Sequence, residues 1–337
     1  ARIRRAGQQQ AGNLVSLAEA RANATPLDWS DYQPPAPHCP GLHLFQDIPL
    51  DQLEPYIDWT FFFHAWELKG RYPKILDDAH KGEGARRLFA DAQAMLKQVI
   101  DEKWLRAAAV IGLFPANSSG DDILVYEDES RKRTLTSFHF LRKQGRQPKG
   151  KFNESLADFV APVASGRPDF LGAFACTAGL GIDERVAEFE ADHDDYNAIM
   201  LKAIADRLAE ALAEWLHQQV RLDYWGYAAE EQLSNEELIR EGYTGIRPAL
   251  GYPACPDHSE KDTLWELLQA REKTGIWLTE SRAMVPTASV SGLYFSHPRS
   301  RYFAVGKVDR EQMTDYARRK GMQREEVERG LSPNLAY

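Results

Sequence analysis

A single long helical pattern, over residues 183–222, limits the folds open to this chain more than any other feature. Large apolar residues recur along it at the three- and four-residue spacing of a core-facing helix: Val186, Phe189, Ile199, Met200, Ile204, Leu208, Leu212, Trp215 and Leu216. About 40 residues is long for a helix in a globular protein, and the acidic cluster Asp192, Asp194 and Asp195 is where a break would fall. The sequence leaves open whether the helix is interrupted there.

Strand patterns lie on both sides of this helix in the sequence, at residues 107–114, 123–126, 134–140, 169–176, 288–295 and 302–305. Further helical patterns cover residues 83–104, 310–319 and 324–330. A short charged loop joins 123–126 to 134–140, which predicts a hairpin and antiparallel pairing. We therefore predict an α+β fold with a central, mainly antiparallel twisted sheet flanked by helices. No Gly-x-Gly-x-x-Gly follows a strand, so the doubly wound fold common among methyltransferases is not supported.

The composition is that of a globular protein with a sizeable core: 337 residues, 43% of them hydrophobic and 27% charged. A net charge of -9 argues against a nucleic-acid partner, and no apolar run is long enough to span a bilayer. Cys39, Cys176 and Cys255 are too widely spaced to indicate a disulfide framework or a zinc site. We expect reduced thiols, a cytoplasmic location and a monomer.

The N-terminal region differs from the rest of the chain. Residues 1–24 can form a helix but contain few large apolar residues, and four prolines follow between Pro34 and Pro40. We interpret residues 1–30 as an interdomain linker and residues 31–337 as one domain. The chain does not begin with methionine, which suggests a fragment of a larger multidomain protein.

The segment Arg247 to His258, RPALGYPACPDH, is the strongest candidate for a binding loop. An arginine offers a planar set of donors that matches a carboxylate, and Gly251 lets backbone approach a ligand closely. Pro248, Pro253 and Pro256 stiffen the segment. These features suit a small zwitterionic ligand, although a proline-rich surface connection with an ordinary arginine has the same composition.

This segment resembles the Arg-Pro-x-x-Gly-Tyr-Pro signature of the reactivation domain of cobalamin-dependent methionine synthase, the module that binds S-adenosylmethionine. Asp58-Trp59-Thr60, the long acidic helix near residue 200 and the pair Tyr302-Phe303 follow in the order that the family shows. The resemblance runs from about residue 10 to Tyr337.

The resemblance implies a set of S-adenosylmethionine-binding residues. Arg247 is expected to bind the carboxylate, and acidic residues near the methionyl end are expected to favour the sulfonium. The full set is Asp58, Asp206, Glu210, Glu241, Arg247, Ala249, Gly251, Tyr252, Tyr302 and Phe303. Asp206 and Glu210 lie four residues apart on one helix face, but from the sequence alone such a pair more often faces water. Asp58 has a structural alternative, as a carboxylate that caps a helix.

The implied function is reactivation. The domain would present the methyl group of S-adenosylmethionine for reductive methylation of cob(II)alamin, with flavodoxin as the electron donor. Cobalamin itself is expected on a neighbouring domain, because no Asp-x-His-x-x-Gly stretch is present and Asp78-Ala79-His80 is followed by Glu83 where the glycine should be. The isolated chain is therefore expected to bind its ligand without turning over, and no catalytic residue or metal ligand is assigned.

Two other classes of function stay open. In the first, the chain is a non-catalytic docking module for flavodoxin and the cobalamin domain. Residues 131–151, with eight Lys or Arg and no Asp or Glu, are a candidate docking face, although they equally fit a solvated basic hairpin. In the second, Cys255 and His258 act as a nucleophile pair, which their closeness on a proline-bounded loop disfavours.

Overall fold

The computed structural model describes residues 13–337. Residues 1–12, part of the predicted linker, lie outside the described range. The helices are α1 (Leu17–Ala22), α2 (Trp59–Ala65), α3 (Gly82–Asp101), α4 (Ile182–Ala191), α5 (Asp195–Gln219), α6 (Asn235–Ile239), α7 (Glu260–Leu268), α8 (Ala270–Thr274), α9 (Arg310–Lys320) and α10 (Arg324–Gly330). The strands are β1 (Gly41–Phe45), β2 (Arg106–Ser119), β3 (Asp122–Tyr126), β4 (Thr134–His139), β5 (Asp169–Leu180), β6 (Trp277–Leu278), β7 (Met284–Val285) and β8 (Ser289–Tyr294).

The main sheet is antiparallel throughout and has the order β4-β3-β2-β5-β8. Strand β1 also pairs with β2, beside the part of β2 that precedes its pairing with β3. Strands β2 and β5 are buried along nearly their whole length, which explains why their sequences are almost continuously apolar. The predicted α+β class with a mainly antiparallel sheet is confirmed.

Helices cover both faces of the sheet. On β5, Phe174 and Cys176 belong to the core beneath α3 and α5, whereas Ala173 and Ala175 belong to the core beneath α7 and α8. Strand β8 is the last strand of the sheet. The helical layers on the two faces of the sheet therefore adjoin at its outer edge. None of the described helices is both long and apolar enough to cross a lipid bilayer.

The long helical pattern is interrupted at the acidic cluster. Helix α4 ends at Ala191 with Asp192 as its C-cap, and Asp194 caps α5 by accepting a hydrogen bond from the Asn197 amide at 3.1 Å. A short acidic side chain competes well for free amides at a helix start, so the cluster itself explains the break. Helix α5 then passes into a π-helical turn at Val220–Tyr224.

One predicted strand is wrong. Residues 302–305 form no strand in the structure; they run beside the binding loop, where the Val305 amide donates to the Pro253 carbonyl at 2.9 Å. At the N-terminus, Leu17 is buried and Arg21 pairs with Asp121 at 2.8 Å, so residues after 13 lie against the body of the fold. A linker role for residues 1–30 stays a prediction.

Candidate ligand-binding site

A cavity of about 360 Å³ opens at the edge of β8, and the binding loop forms one of its walls. Seven of the ten predicted site residues line it: Glu210, Glu241, Arg247, Ala249, Tyr252, Tyr302 and Phe303. Helix α5 supplies Glu210, the turn after α6 supplies Glu241, and the segment after β8 supplies the last two. The fold thus brings together residues that lie up to about 90 positions apart in the sequence.

The binding loop is held open by a tight turn and by pairing with β8. The Gly251 amide donates to the Cys255 carbonyl at 2.8 Å, and Gly251 has a φ of +93°, a value that disfavours any other residue. A Cβ there would lie 2.2 Å from the His258 ring. The Leu293 amide donates to the Pro248 carbonyl at 3.0 Å, which fixes the start of the loop to the sheet. Gly251 therefore shapes the loop without itself lining the cavity.

Arg247 is the most constrained side chain of the cavity. Its Nη2 donates to Glu214 at 2.7 Å, its Nη1 donates to the Tyr243 hydroxyl at 2.6 Å, and Nη1 lies 3.3 Å from His217 Nδ1. Its backbone amide donates to the Tyr302 hydroxyl at 3.0 Å. Burial alone would lower the pKa of Arg247, but Glu214 and the nearby phenols raise it above its ordinary value, so the guanidinium stays charged.

Sequence reasoning missed Glu214, His217 and Tyr243. The signal for Glu214 was present, because Asp206, Glu210 and Glu214 form one stripe at four-residue spacing on α5. His217 is buried and stacks on Tyr294 with ring centroids 5.1 Å apart. Burial and two neighbouring guanidinium groups lower its pKa far below the usual value, so the imidazole is neutral.

The acidic residues on this face of α5 differ in whether they reach the cavity. Asp206 is exposed, pairs with Arg207 at 2.5 Å and does not line the cavity, whereas Glu210 does. The surrounding protein disfavours a charge on Glu210 and raises the pKa of its carboxyl, although Arg207 and Arg247 oppose that shift. The structure thus brings Glu210 to the site and leaves Asp206 outside it.

Asp58 is the N-cap of α2, where its carboxylate accepts a hydrogen bond from the Thr60 amide at 2.9 Å. It does not line the cavity. The structural alternative considered for this residue is therefore present, and a role in binding ligand stays a prediction.

Three polar residues that line the cavity were not predicted: Lys261, Ser289 and Ser291. Lys261 on α7 is 7% exposed and donates to the Arg282 carbonyl at 3.2 Å. Ser291 on β8 is 1% exposed, and its hydroxyl has no hydrogen-bond partner among residues 13–337. None of these residues belongs to a recognisable motif, so no sequence pattern pointed to them.

The structure also bears on the two alternatives, the Cys255 nucleophile and the basic segment at residues 131–151. Cys255 is buried and burial raises the pKa of its thiol, which is the reverse of what a nucleophile requires. Within the basic segment, Arg142 is buried between Asp121 and Asp158, and Arg131 lies over the rings of Tyr126 and Phe170. Arg142 is buried and Arg131 is half-buried, so fewer than eight cations are fully available for a docking face.

Comparison with known proteins agrees with this geometry. Residues 49–321 match the family model described as vitamin B12 dependent methionine synthase, activation domain. A solved structure, the MetH reactivation domain bound to AdoHcy, is 56% identical and superimposes with a TM-score of 0.94. The match covers 96% of this chain and 99% of that one.

Proposed function

Because this chain belongs to the activation-domain family of vitamin B12-dependent methionine synthase, we propose that its cavity binds S-adenosylmethionine for reactivation of the cobalamin enzyme. The observation that carries the proposal is the charge arrangement at Arg247, which lies in one cavity with Glu210 and Glu241. A cation beside carboxylates complements a ligand that has both a carboxylate and a sulfonium. AdoHcy, the ligand of the similar structure, is the demethylated form of that ligand.

Arg247 binds the ligand carboxylate in this proposal. A guanidinium has five N–H donors, and the contacts to Glu214, Tyr243 and His217 use three, so two remain (5 − 3). Glu214 and Tyr243 fix the plane of the group before ligand arrives, which lowers the entropy lost on binding. Glu210 and Glu241, which line the same cavity, favour the sulfonium.

The aromatic residues hold the rest of the ligand. Tyr252 is 64% exposed, so its ring is available to cover an adenosyl group. Tyr302 and Phe303 line the cavity from the segment that follows β8, and the Tyr302 hydroxyl already orients Arg247 by accepting from its backbone amide. For Asp58 we propose a contact with the amino group, made in addition to its helix cap.

The protein contributes position, since a sulfonium is already activated for methyl transfer. Cobalamin, bound to the neighbouring domain and reduced there by one electron from flavodoxin, would supply the nucleophile that accepts the methyl group, and the released thioether would keep the electron pair of the broken methyl–sulfur bond. The chain's residues hold the methyl group in line and exclude water, with no general base required. No Asp-x-His-x-x-Gly stretch is available here to hold the corrinoid, so turnover needs the other domain.

A labelled-methyl experiment tests the proposal. The chain, joined to its cobalamin domain, receives methyl-labelled S-adenosylmethionine and reduced flavodoxin, and label on cobalamin is measured. We expect transfer in wild type, about 30-fold less in Arg247→Ala at limiting ligand, and little change in the control Asp206→Asn. Undiminished transfer in folded Arg247→Ala would favour the docking-module alternative.

A further inference from the structure

A second cavity, of about 630 Å³, adjoins the ligand cavity at Tyr302 and Phe303, which line both. Much of its wall comes from residues 143–154, the end of the basic segment and the residues that follow it. Its charged residues come from two distant parts of the chain: Lys143, Lys151 and Glu154 from that wall, and Arg301 from the segment after β8. We call the cavity that these four residues line the cationic pocket.

Glu154 holds two of the cations together. Its side chain is buried, and its two oxygens accept separate hydrogen bonds, one from Arg301 Nε at 2.6 Å and one from Lys143 Nζ at 3.4 Å. One buried carboxylate thus draws two cations from distant segments towards the same point. Charged groups that are already held in place lose less conformational entropy when a ligand binds.

The pocket has a surplus of positive charge. Glu154 balances one of its three cations, which leaves two, in a chain whose net charge is -9. A concave surface lined by charges of one sign raises the local concentration of ions of the opposite sign. Balancing a buried carboxylate therefore does not account for all the cations gathered here.

The same cations keep hydrogen-bond donors free. Arg301 donates through Nε, and its Nη1 and Nη2 donate to no residue within 13–337. The Lys151 ammonium also has no acceptor in that range, and its side chain is exposed. A guanidinium with two free nitrogens matches two oxygens of a phosphate, and a lysine adds a point charge.

We infer that the cationic pocket binds a phosphate group, carried by inorganic phosphate or by a phosphate monoester. Two surplus positive charges match a phosphate dianion, whereas a carboxylate would balance only one. The rings of Phe152 and Phe303 also line the pocket and are suited to cover the organic part of a monoester. Because this pocket is separate from the cavity proposed for S-adenosylmethionine, either assignment can fail without the other.

Phosphorus NMR of the wild-type chain tests for binding. Inorganic phosphate and phenyl phosphate are titrated separately at constant ionic strength, with chloride as the balancing anion, so that general screening is not counted as binding. We expect saturable binding of both probes, and the same affinities in Arg247→Ala, because Arg247 lines only the other cavity. Tighter binding of phenyl phosphate would support a monoester as occupant, and tighter binding of the inorganic ion would support free phosphate. Failure of both probes to saturate, or loss of binding in Arg247→Ala, would overturn the site.

A matched pair of lysine variants locates the binding. Lys149 and Lys151 are both exposed, but Lys151 lines the pocket and Lys149 does not. We expect Lys151→Gln to weaken phosphate binding at least about fivefold, and Lys149→Gln to change it by less than about twofold. Arg301→Gln should weaken it at least about tenfold, with partial rescue in Arg301→Lys. Equal losses in Lys149→Gln and Lys151→Gln would show general attraction to a basic surface and would overturn the site. Since the Lys151 side chain is exposed and pairs with no described residue, this comparison does not depend on whether Arg301→Gln folds.

Discussion

The Arg247 guanidinium and the Glu214 carboxylate are joined at 2.7 Å in a setting that leaves the two side chains only 16% and 7% exposed. The second carboxylate oxygen of Glu214 is buried with no hydrogen-bond partner among the described residues. Helix α5 therefore supplies a buried carboxylate, that of Glu214, which holds the guanidinium of Arg247 in place at the cavity.

Glu214→Ala should destabilise the protein and weaken ligand binding together. Removing one partner of a buried ion pair leaves the other charge uncompensated, at a cost of about 3 kcal/mol. Denaturant unfolding measures the free energy, and the surface pair Arg240–Glu236, through Glu236→Ala, gives the matched control at well under 1 kcal/mol. Equal losses in the two variants would mean that the Arg247–Glu214 pair has no special role.

Asp58→Asn separates the helix cap from the ligand contact. Asparagine caps a helix about as well as aspartate, so the melting temperature should hardly change. The lost charge should weaken S-adenosylmethionine about tenfold if the carboxylate meets the ligand amino group. Unaltered affinity in calorimetry would leave Asp58 with the capping role alone.

Glu210 should discriminate between a sulfonium and a thioether. Glu210→Gln is expected to weaken S-adenosylmethionine by about fivefold to tenfold more than S-adenosylhomocysteine, since only the former is positively charged. Burial raises the pKa of the Glu210 carboxyl above its ordinary value. A cation prefers the ionised form, so wild-type affinity for S-adenosylmethionine should increase as pH rises through that raised pKa. Calorimetry across pH should show a smaller slope in the variant; identical slopes would exclude Glu210 from the sulfonium site.

Gly251→Ala should distort the binding loop. The positive φ of 93° costs any other residue about 1–2 kcal/mol, and the new Cβ would meet the His258 ring. We expect weaker ligand binding in calorimetry, and a free energy of unfolding lower by about 1–2 kcal/mol in denaturant titration. The double variant Gly251→Ala, His258→Ala relieves the contact but not the backbone strain, so only partial recovery is expected. Full recovery would show that φ is unimportant here.

His297 should make stability pH-dependent. Burial, with Arg299 nearby, lowers the pKa of His297 to about 4 from its ordinary value of 6.5, and its Nδ1 accepts from the Arg299 amide at 3.0 Å. The folded state thus prefers the neutral ring, and its contribution is present above pH 6.5 and is lost as pH falls towards 4. The loss should reach roughly 2 kcal/mol in denaturant titrations. His297→Gln should lack this increment between pH 7 and 5; an unchanged profile would contradict the assignment.

Much of the fold was predictable because its pattern is local. The periodicity of α5 and the break at Asp192 and Asp194 depend on residues within a few turns, as does the β3–β4 hairpin. The strand predicted at 302–305 was wrong because a short apolar run does not reveal whether a neighbouring strand has a free edge to pair with. Here the edge of β8 is taken by residues 246–248.

The site residues that belong to a recognised sequence motif were predictable. Arg247, Tyr252 and Tyr302 were found through resemblance, and Glu214 was within reach because it continues the four-residue spacing of Asp206 and Glu210. Lys261 and Ser291 belong to elements whose approach to the cavity no spacing reveals. Asp58 could not be assigned from the sequence alone, because an isolated carboxylate before an aromatic segment fits a helix cap as well as a ligand contact.

Calorimetric titration with S-adenosylmethionine, on wild type and on Arg247→Ala of verified fold, tests the central claim most directly. We predict saturable binding in wild type and a loss of at least about 2 kcal/mol in the variant, as removal of a charged contact implies. Equal affinity in the two proteins would contradict the assignment of Arg247 as the carboxylate-binding residue, and absence of binding to wild type would contradict the proposed site.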